Sequence, residues 1–268
     1  MTIKTYLLGI IVLILIAQCA TKPAMDEDGY TILFNGENFD GWYLKIRSGD
    51  SVEAAKVFQV EDGLVHVFKD HPDSFNLNMG NNKTHGLIYT NDSYSMYSFK
   101  FEYKWGKKIT NNFNQFQYDA GMYYHVFDDK VWPNGLEYQV RYDHMEDMNH
   151  TGDFWSSGVA IQWFSSDSTT FKAPWLGGNP MPLRGGEHLA SKDAIHNALN
   201  DEWNKCEVIV MGNQYTIHKL NGQIVNYAEN LSHSSGNIGL QSETAEVFYR
   251  NMRIKEFDQF IPADDFIQ

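Results

Sequence analysis

Apolar and polar residues alternate with a period of two along much of this chain. Tyr97, Phe99, Phe101, Tyr103 and Trp105 are interleaved with Ser98, Lys100, Glu102 and Lys104. Successive strand side chains point to opposite faces, so this segment predicts a strand with one buried aromatic face and one wet face. Phe58 to Phe68 reads as two short strands joined at Glu61-Asp62-Gly63. Trp203 to Met211 and Gln214 to Leu220 are two more, and Asn221-Gly222 makes a two-residue hairpin into Gln223 to Tyr227. Ile238 to Gln241 and Val247 to Phe257 close the pattern, and Gly86 to Thr90, Ala120 to Val126, Leu136 to Val140 and Val159 to Phe164 are further strand-like runs. No window predicts a long amphipathic helix; one helical turn is expected at Ala194 to Leu199. About a dozen short strands with Gly and Asn turns predict an all-β fold, a sandwich or barrel. Ser165 to Asn200 stands apart as a long stretch rich in Ser, Gly, Pro and Asp. Loops of that length are usually functional, and this one is expected to lie across one mouth of the sandwich and wall a cleft. There are no repeats, and residues 30–262 read as a single domain.

The N-terminus breaks the pattern. Lys4 precedes an apolar run from Tyr6 to Ala17, too short for a helix crossing a bilayer, which needs about 20 apolar residues, and suited to a signal-peptide core. The run ends in Ile16-Ala17-Gln18-Cys19, which resembles the lipobox of bacterial lipoproteins, with Gln18 larger than the usual small residue. The implied organisation is a signal peptide over 1–18, lipidation at Cys19, a flexible tether over 19–29, and an exported protein anchored in a membrane, periplasmic or at the outer membrane or cell surface. A plain secretory signal is the alternative. Cys206 then has no partner, and a lone cysteine on a predicted strand reads as a small core residue.

The chain carries 21 basic and 34 acidic residues, a formal charge of −13. That balance argues against nucleic acid as a partner, because such binding rests on Lys and Arg neutralising phosphates. No Gly-x-Ser-x-Gly elbow, P-loop or dinucleotide fingerprint is present, so serine hydrolase, kinase and dehydrogenase readings lack support.

Several short motifs occur together in order. Leu33-Phe34-Asn35-Gly36-Glu37-Asn38-Phe39-Asp40-Gly41-Trp42, Asp119-Ala120-Gly121-Met122-Tyr123 and Asn134-Gly135-Leu136-Glu137-Tyr138-Gln139-Val140 are followed by Glu202-Trp203-Asn204, Leu220-Asn221-Gly222, Gly239-Leu240-Gln241 and Phe248-Tyr249-Arg250-Asn251. Together, over roughly residues 30–257, they resemble the 3-keto-disaccharide hydrolase family. The resemblance implies an antiparallel β-sandwich of the jelly-roll, concanavalin A-like or LamG-like kind. Asp119-Ala120 departs from that family's usual Asn-Ser, and Glu243 stands where many members carry histidine.

Glu137 is the first candidate for chemistry. It falls inside an apolar strand, where a carboxylate is costly unless it is paired, hydrogen-bonded or facing a cleft. Gln139 shares its strand face and could bond a sugar. His125, on a neighbouring predicted strand, could exchange protons near neutral pH, or be a satisfied core histidine. Glu243 ends a strand beside the cleft that the resemblance implies, or is a solvated turn acid. Arg250 could orient a substrate oxygen or form a structural ion pair. Asp153, Trp155 and Trp175 complete the substrate-contacting candidates. With Trp132 and Trp163, these indoles fall in or near polar loops, and indole packs well on the C–H faces of sugars. Asp143, His144, Glu146, Asp147 and His150 form a dense cluster lacking zinc or calcium spacing. No metal ligand set is therefore assigned, although a divalent metal is possible.

The activity implied by the resemblance is cleavage of a glycoside already oxidised to a ketone at C3. Removal of the acidified C2 proton gives an enolate that expels the C1 substituent, and water then adds. Glu137, His125 and Glu243 are the candidates for base and acid, with the roles left open among them. The oxidised substrate would come from a separate sugar oxidoreductase. A non-catalytic carbohydrate-binding module on the same fold is the alternative.

Overall fold

A computed structural model describes residues 24–72, 83–110 and 117–267. The signal-like segment and Cys19 lie outside these residues. Among those described, the strands in chain order are β1 (Thr31–Ile32), β2 (Trp42–Ile46), β3 (Phe58–Glu61), β4 (Leu64–Val67), β5 (Gly86–Tyr94) and β6 (Met96–Ile109). They continue as β7 (Tyr118–Val126), β8 (Gly135–Asp143), β9 (Met148–Asn149), β10 (Phe154–Ser165), β11 (Asn179–Pro180) and β12 (Arg184–His188). The last five are β13 (Asn204–Met211), β14 (Tyr215–Leu220), β15 (Gln223–Glu229), β16 (Gly236–Ser242) and β17 (Ala245–Glu256).

All pairs are antiparallel and form two layers. The front layer runs β2–β5–β16–β7–β8–β10–β12. The back layer runs β3–β4–β17–β6–β13–β14–β15. Strand β10 belongs to both, pairing with β8 through Phe154 to Ser157 and with β15 through Gln162 and Trp163. This is the jelly-roll sandwich that the alternating pattern and the motifs implied.

Local turn chemistry fixes two of the registers. Asp62-Gly63 and Asn221-Gly222 both adopt positive φ at both positions, 49° and 78° in the first, 49° and 84° in the second. Such turns match the twist of the flanking strands, and they set Glu61 opposite Leu64 and Leu220 opposite Gln223. The aromatic face of β6 is buried as its alternation predicts, from Tyr97 to Trp105. Phe101 packs edge-on against Tyr138 of β8 at 5.8 Å, which joins the two layers. Each such ring withdrawn from water contributes roughly 1.5–3 kcal/mol. Cys206 is buried among these residues and unpaired.

Three features differ from the pattern. Residues Ala194 to Leu199 form no helical turn, and a helix instead spans Ser51–Val57, capped by the Asp50 carboxylate on the N–H groups of Val52 and Glu53. The stretch from Ser165 to Asn200 is not one loop, since it contains β11 and β12, and β12 extends the front layer as its edge strand. Of the expected tether, residues 24–29 are held against the domain: Met25 bridges to Thr31, and Asp26 pairs with Arg253 at 2.6 Å. At the other end a short helix, Asp264–Ile267, places Phe266 against Phe257.

Candidate functional site

The alternation of β8 builds the site. Leu136, Tyr138 and Val140 point into the sandwich, which leaves Glu137, Gln139 and Arg141 on the outer surface of the front layer. On β7 the same parity puts Asp119, Gly121 and Tyr123 beside them. Cross-strand register aligns Tyr43, Tyr89, Gly239, Tyr123, Glu137, Trp155 and Glu187 into one row across seven strands. Trp155 is 37% exposed and flanks Glu137 directly.

Glu137 is buried, and its carboxyl lies over Gly121. A β-carbon at position 121 would fall 2.6 Å from Cδ of Glu137, so only glycine leaves room for the acid. Burial holds the Glu137 carboxyl well above the usual carboxylate range, and the charges of Glu243 and Asp119 push the same way. The Tyr123 hydroxyl and Arg141 pull weakly in the opposite direction.

Asp119 forms an ion pair with Arg141 Nε at 2.9 Å, and Arg141 Nη1 reaches Glu187 of β12 at 3.3 Å. Burial pushes Asp119 up to about 8, against Arg141 and with the Glu243 charge adding to the push. Two hydrogen bonds tie the start of β7 to the turn after β16: Asp119 N–H donates to the Thr244 hydroxyl at 2.7 Å, and Thr244 N–H donates to the Asp119 carbonyl at 3.2 Å. This lacing carries Glu243 to the same surface. His85, fully buried, lies 3.3 Å from the Glu243 carboxylate. Trp132 packs edge-on against His85 at 4.2 Å, and Arg47 covers the indole at 4.8 Å. Gln139 and Gln241 are almost completely buried, and the side-chain oxygen of each has no hydrogen-bond partner among the described residues.

The fold thus brings together Glu137, Glu243, Gln139 and Trp155 of the residues singled out in the sequence. His125 goes elsewhere. A bulge places two residues, Tyr124 and His125, opposite Ile238 alone. With φ at +51° the ring turns to the end of the sandwich, where Nε2 donates to the Gly212 carbonyl at 2.9 Å. Burial lowers its pKa to about 4, which keeps this imidazole neutral. Asp153 is fully buried and binds His150 Nδ1 at 2.7 Å, Lys192 Nζ at 2.9 Å and the Ala190 N–H at 2.5 Å, pinning the segment after β12 to the start of β10. Arg250 lies on the back layer, paired with Glu102 at 2.8 Å and stacked on Trp203 at 3.9 Å. Trp175 packs on Tyr227 of the back layer, away from Glu137. In the 143–150 cluster, Asp143 caps the N–H groups of Met145 and Glu146, and Asp147 accepts from the Tyr142 hydroxyl. Among the described residues no group of three His, Cys, Asp or Glu side chains is placed to hold a metal ion.

Asp119, Arg141, Tyr123 and Gln241 were not singled out in the sequence. The first three share the parity of Glu137 or Gly121, a signal that was there to be read. His85, Trp132 and Glu187 arrive from distant parts of the chain and leave no local mark.

The fold is an antiparallel jelly-roll sandwich, and one surface of its front layer gathers buried carboxyls, buried glutamine oxygens without partners among the described residues and the exposed indole of Trp155. The family model described as the 3-keto-alpha-glucoside-1,2-lyase-like domain matches residues 29–255, and the chain belongs to that family. No curated protein matches it. Two crystal structures from Parabacteroides distasonis, each described as a "putative glycosyl hydrolase", share the fold. One is 22% identical with a TM-score of 0.53, covering 89% of this chain and 100% of the other. The second is 18% identical with a TM-score of 0.50, covering 85% and 99%.

Proposed function

We propose that this domain cleaves 3-keto-glycosides, with Glu243 as base and Glu137 as acid. The single observation that supports this division is the burial of Glu137 beside two other carboxyls, which favours its protonated form over the carboxylate. Glu243, next to His85, takes the C2 proton that the ketone has acidified. The electron pair of that C–H bond forms the enolate and then expels the C1 oxygen, which receives the proton carried by Glu137. Water adds to C1 of the resulting enone, a proton returns to C2, and the product is the free 3-keto sugar. Arg141 and the Tyr123 hydroxyl are the donors at hand for the enolate oxygen. The orphan oxygens of Gln139 and Gln241 accept from substrate hydroxyls, and Trp132 and Trp155 offer ring platforms. A separate sugar oxidoreductase supplies the ketone.

The test is incubation of the mature domain with a 3-keto-glycoside and with its unoxidised parent in deuterated water, with and without chelator. Cleavage of the keto form alone, with deuterium at C2 of the product, is the expected result. Loss of activity with chelator would move the enolate-stabilising role to a metal. Glu137→Gln should lower turnover at least about 10²-fold. Binding of the keto sugar without cleavage would instead identify a carbohydrate-binding module.

A further inference from the structure

The polar loops of the sequence supplied more indoles than the front-layer site uses. Trp175 sits in a short turn, Pro174–Leu176, that Gly177 closes at φ 86°. The turn is locked by backbone bonds from Leu176 and Gly178 to the Ala173 carbonyl, both at 2.9 Å. One edge of the indole meets Tyr227 at 5.4 Å in a T-shaped contact, and the residue is 41% exposed. The ring is therefore fixed before any ligand arrives, which lowers the ordering cost of stacking on it.

Trp175 borders a groove of about 530 Å³, within the roughly 300–1,000 Å³ range of small-molecule sites. Phe171, Ile224 and Phe266 supply its apolar walls, and Lys172 and Asp193 its polar rim. Among the described residues neither the Lys172 ammonium nor the Asp193 carboxylate has an ion pair or a side-chain hydrogen bond, and both residues are exposed. Lys219 also lines the groove, with its ammonium engaged by the Phe266 carbonyl at 2.8 Å. Its strand neighbour His218 points into the sandwich, against Tyr138 and Phe154. Lys219 and the groove therefore lie on the outer surface of the back layer, opposite the side that carries Glu137.

We propose that this groove is a second saccharide site, separate from the catalytic one. A fixed indole face matches the C–H face of a pyranose, and one free donor and one free acceptor of opposite charge suit hydroxyl groups. Free charges of both signs favour an uncharged ligand, so the expected occupant is a neutral oligosaccharide lying along the groove with one ring on Trp175. The domain would then hold a glycan chain on its back layer while the front layer acts on an oxidised sugar. The inference does not depend on the keto-sugar chemistry.

The mature domain is titrated calorimetrically with maltohexaose, cellohexaose and mannohexaose, and with a galacturonate hexamer as the charged comparison. At least one neutral probe should bind with Kd near or below about 1 mM, and more tightly than the acidic one. Trp175→Ala should weaken that binding at least about tenfold, while Glu137→Gln leaves it unchanged. Turnover of a small 3-keto-glycoside should be unaffected by Trp175→Ala. Asp193→Ala and Lys172→Ala, both on the exposed rim, should each weaken binding with no change in thermal midpoint, which separates recognition from folding. Failure of all three neutral probes, tighter binding of the galacturonate hexamer, or binding that survives Trp175→Ala overturns the proposal. So does loss of binding in Glu137→Gln, since that would assign the saccharide to the front layer.

Discussion

The side chain of Glu137 lies across Gly121 of the neighbouring strand, so that a β-carbon built at position 121 would stand 2.6 Å from Cδ and 2.7 Å from Cγ of the glutamate. Glycine is needed here for space and not for backbone freedom. Gly121→Ala should push the carboxyl off its position. Overpacking of this kind typically costs about 1–3 kcal/mol, so the domain should remain folded. If the position of Glu137 matters for proton transfer, turnover should fall by roughly 10²-fold or more. Steady-state kinetics beside a thermal melt would check this, and a folded Gly121→Ala protein with native turnover would detach the carboxyl from the chemistry.

The carboxyls of the front layer should also set the pH dependence of stability. Glu137 is raised well above its ordinary range and Asp119 to about 8, in both cases first by burial. The native state therefore keeps protons that the unfolded chain releases above about pH 4–4.5. Stabilisation from these two groups is complete below that pH and is lost as pH rises toward their folded values, at up to about 1.4 kcal/mol per pH unit for each proton. Glu137→Gln removes one of the two. It should be more stable than the native protein at pH 8, with the advantage shrinking toward pH 5. Urea unfolding at three pH values measures it, and a pH-independent difference would contradict the assignment.

A third prediction concerns the N-terminus. The sequence up to Cys19 reads as a lipoprotein signal, and residues 24–29 enter the domain beside Arg253 and Lys255, where Asp26 pairs with Arg253 and the Asp28 carbonyl accepts from Lys255. Lipidation at Cys19 would then leave a tether of only a few residues. Cys19→Ser should abolish acyl labelling and yield soluble or uncleaved protein. Unchanged membrane partitioning and labelling in that variant would refute the anchor.

The strands, the aromatic face of β6 and the Asx-Gly hairpins were legible because each is encoded locally, by period-two alternation or by turn residues. Glu137 was legible for a related reason, as a charge interrupting an apolar strand. His125 misled because strand alternation assumes regular pairing, and the bulge opposite Ile238 is a property of two strands together. Arg250 and Asp153 misled because a charged residue near a motif looks the same whether its partner is a substrate or, as here, Glu102 or Lys192. His85 and Trp132 could not be read at all. Their relation to Glu243 exists only after β16 pairs with β5, about 150 residues away in sequence.

The two glutamines give the sharpest separation of function from stability. The side-chain oxygens of Gln139 and Gln241 are buried on the front layer with no hydrogen-bond partner among the described residues. An unsatisfied buried acceptor costs about 1–3 kcal/mol, and an apolar group of similar shape removes that cost. Gln139→Met should therefore leave the unfolding midpoint unchanged or raise it. If the oxygen receives a substrate hydroxyl, the same variant should raise KM about tenfold, with kcat changed much less. A structural glutamine would behave in the opposite way, losing stability and leaving KM alone. Gln241→Met is the less clean test, because the Gln241 side-chain nitrogen lies 3.5 Å from His85 Nε2 and its loss reaches the Glu243 pair as well. It should lower kcat in addition to raising KM. Equal effects on kcat and KM from the two substitutions would mean that the glutamines do not divide the work in this way, and that Gln139 also touches the proton-transfer groups.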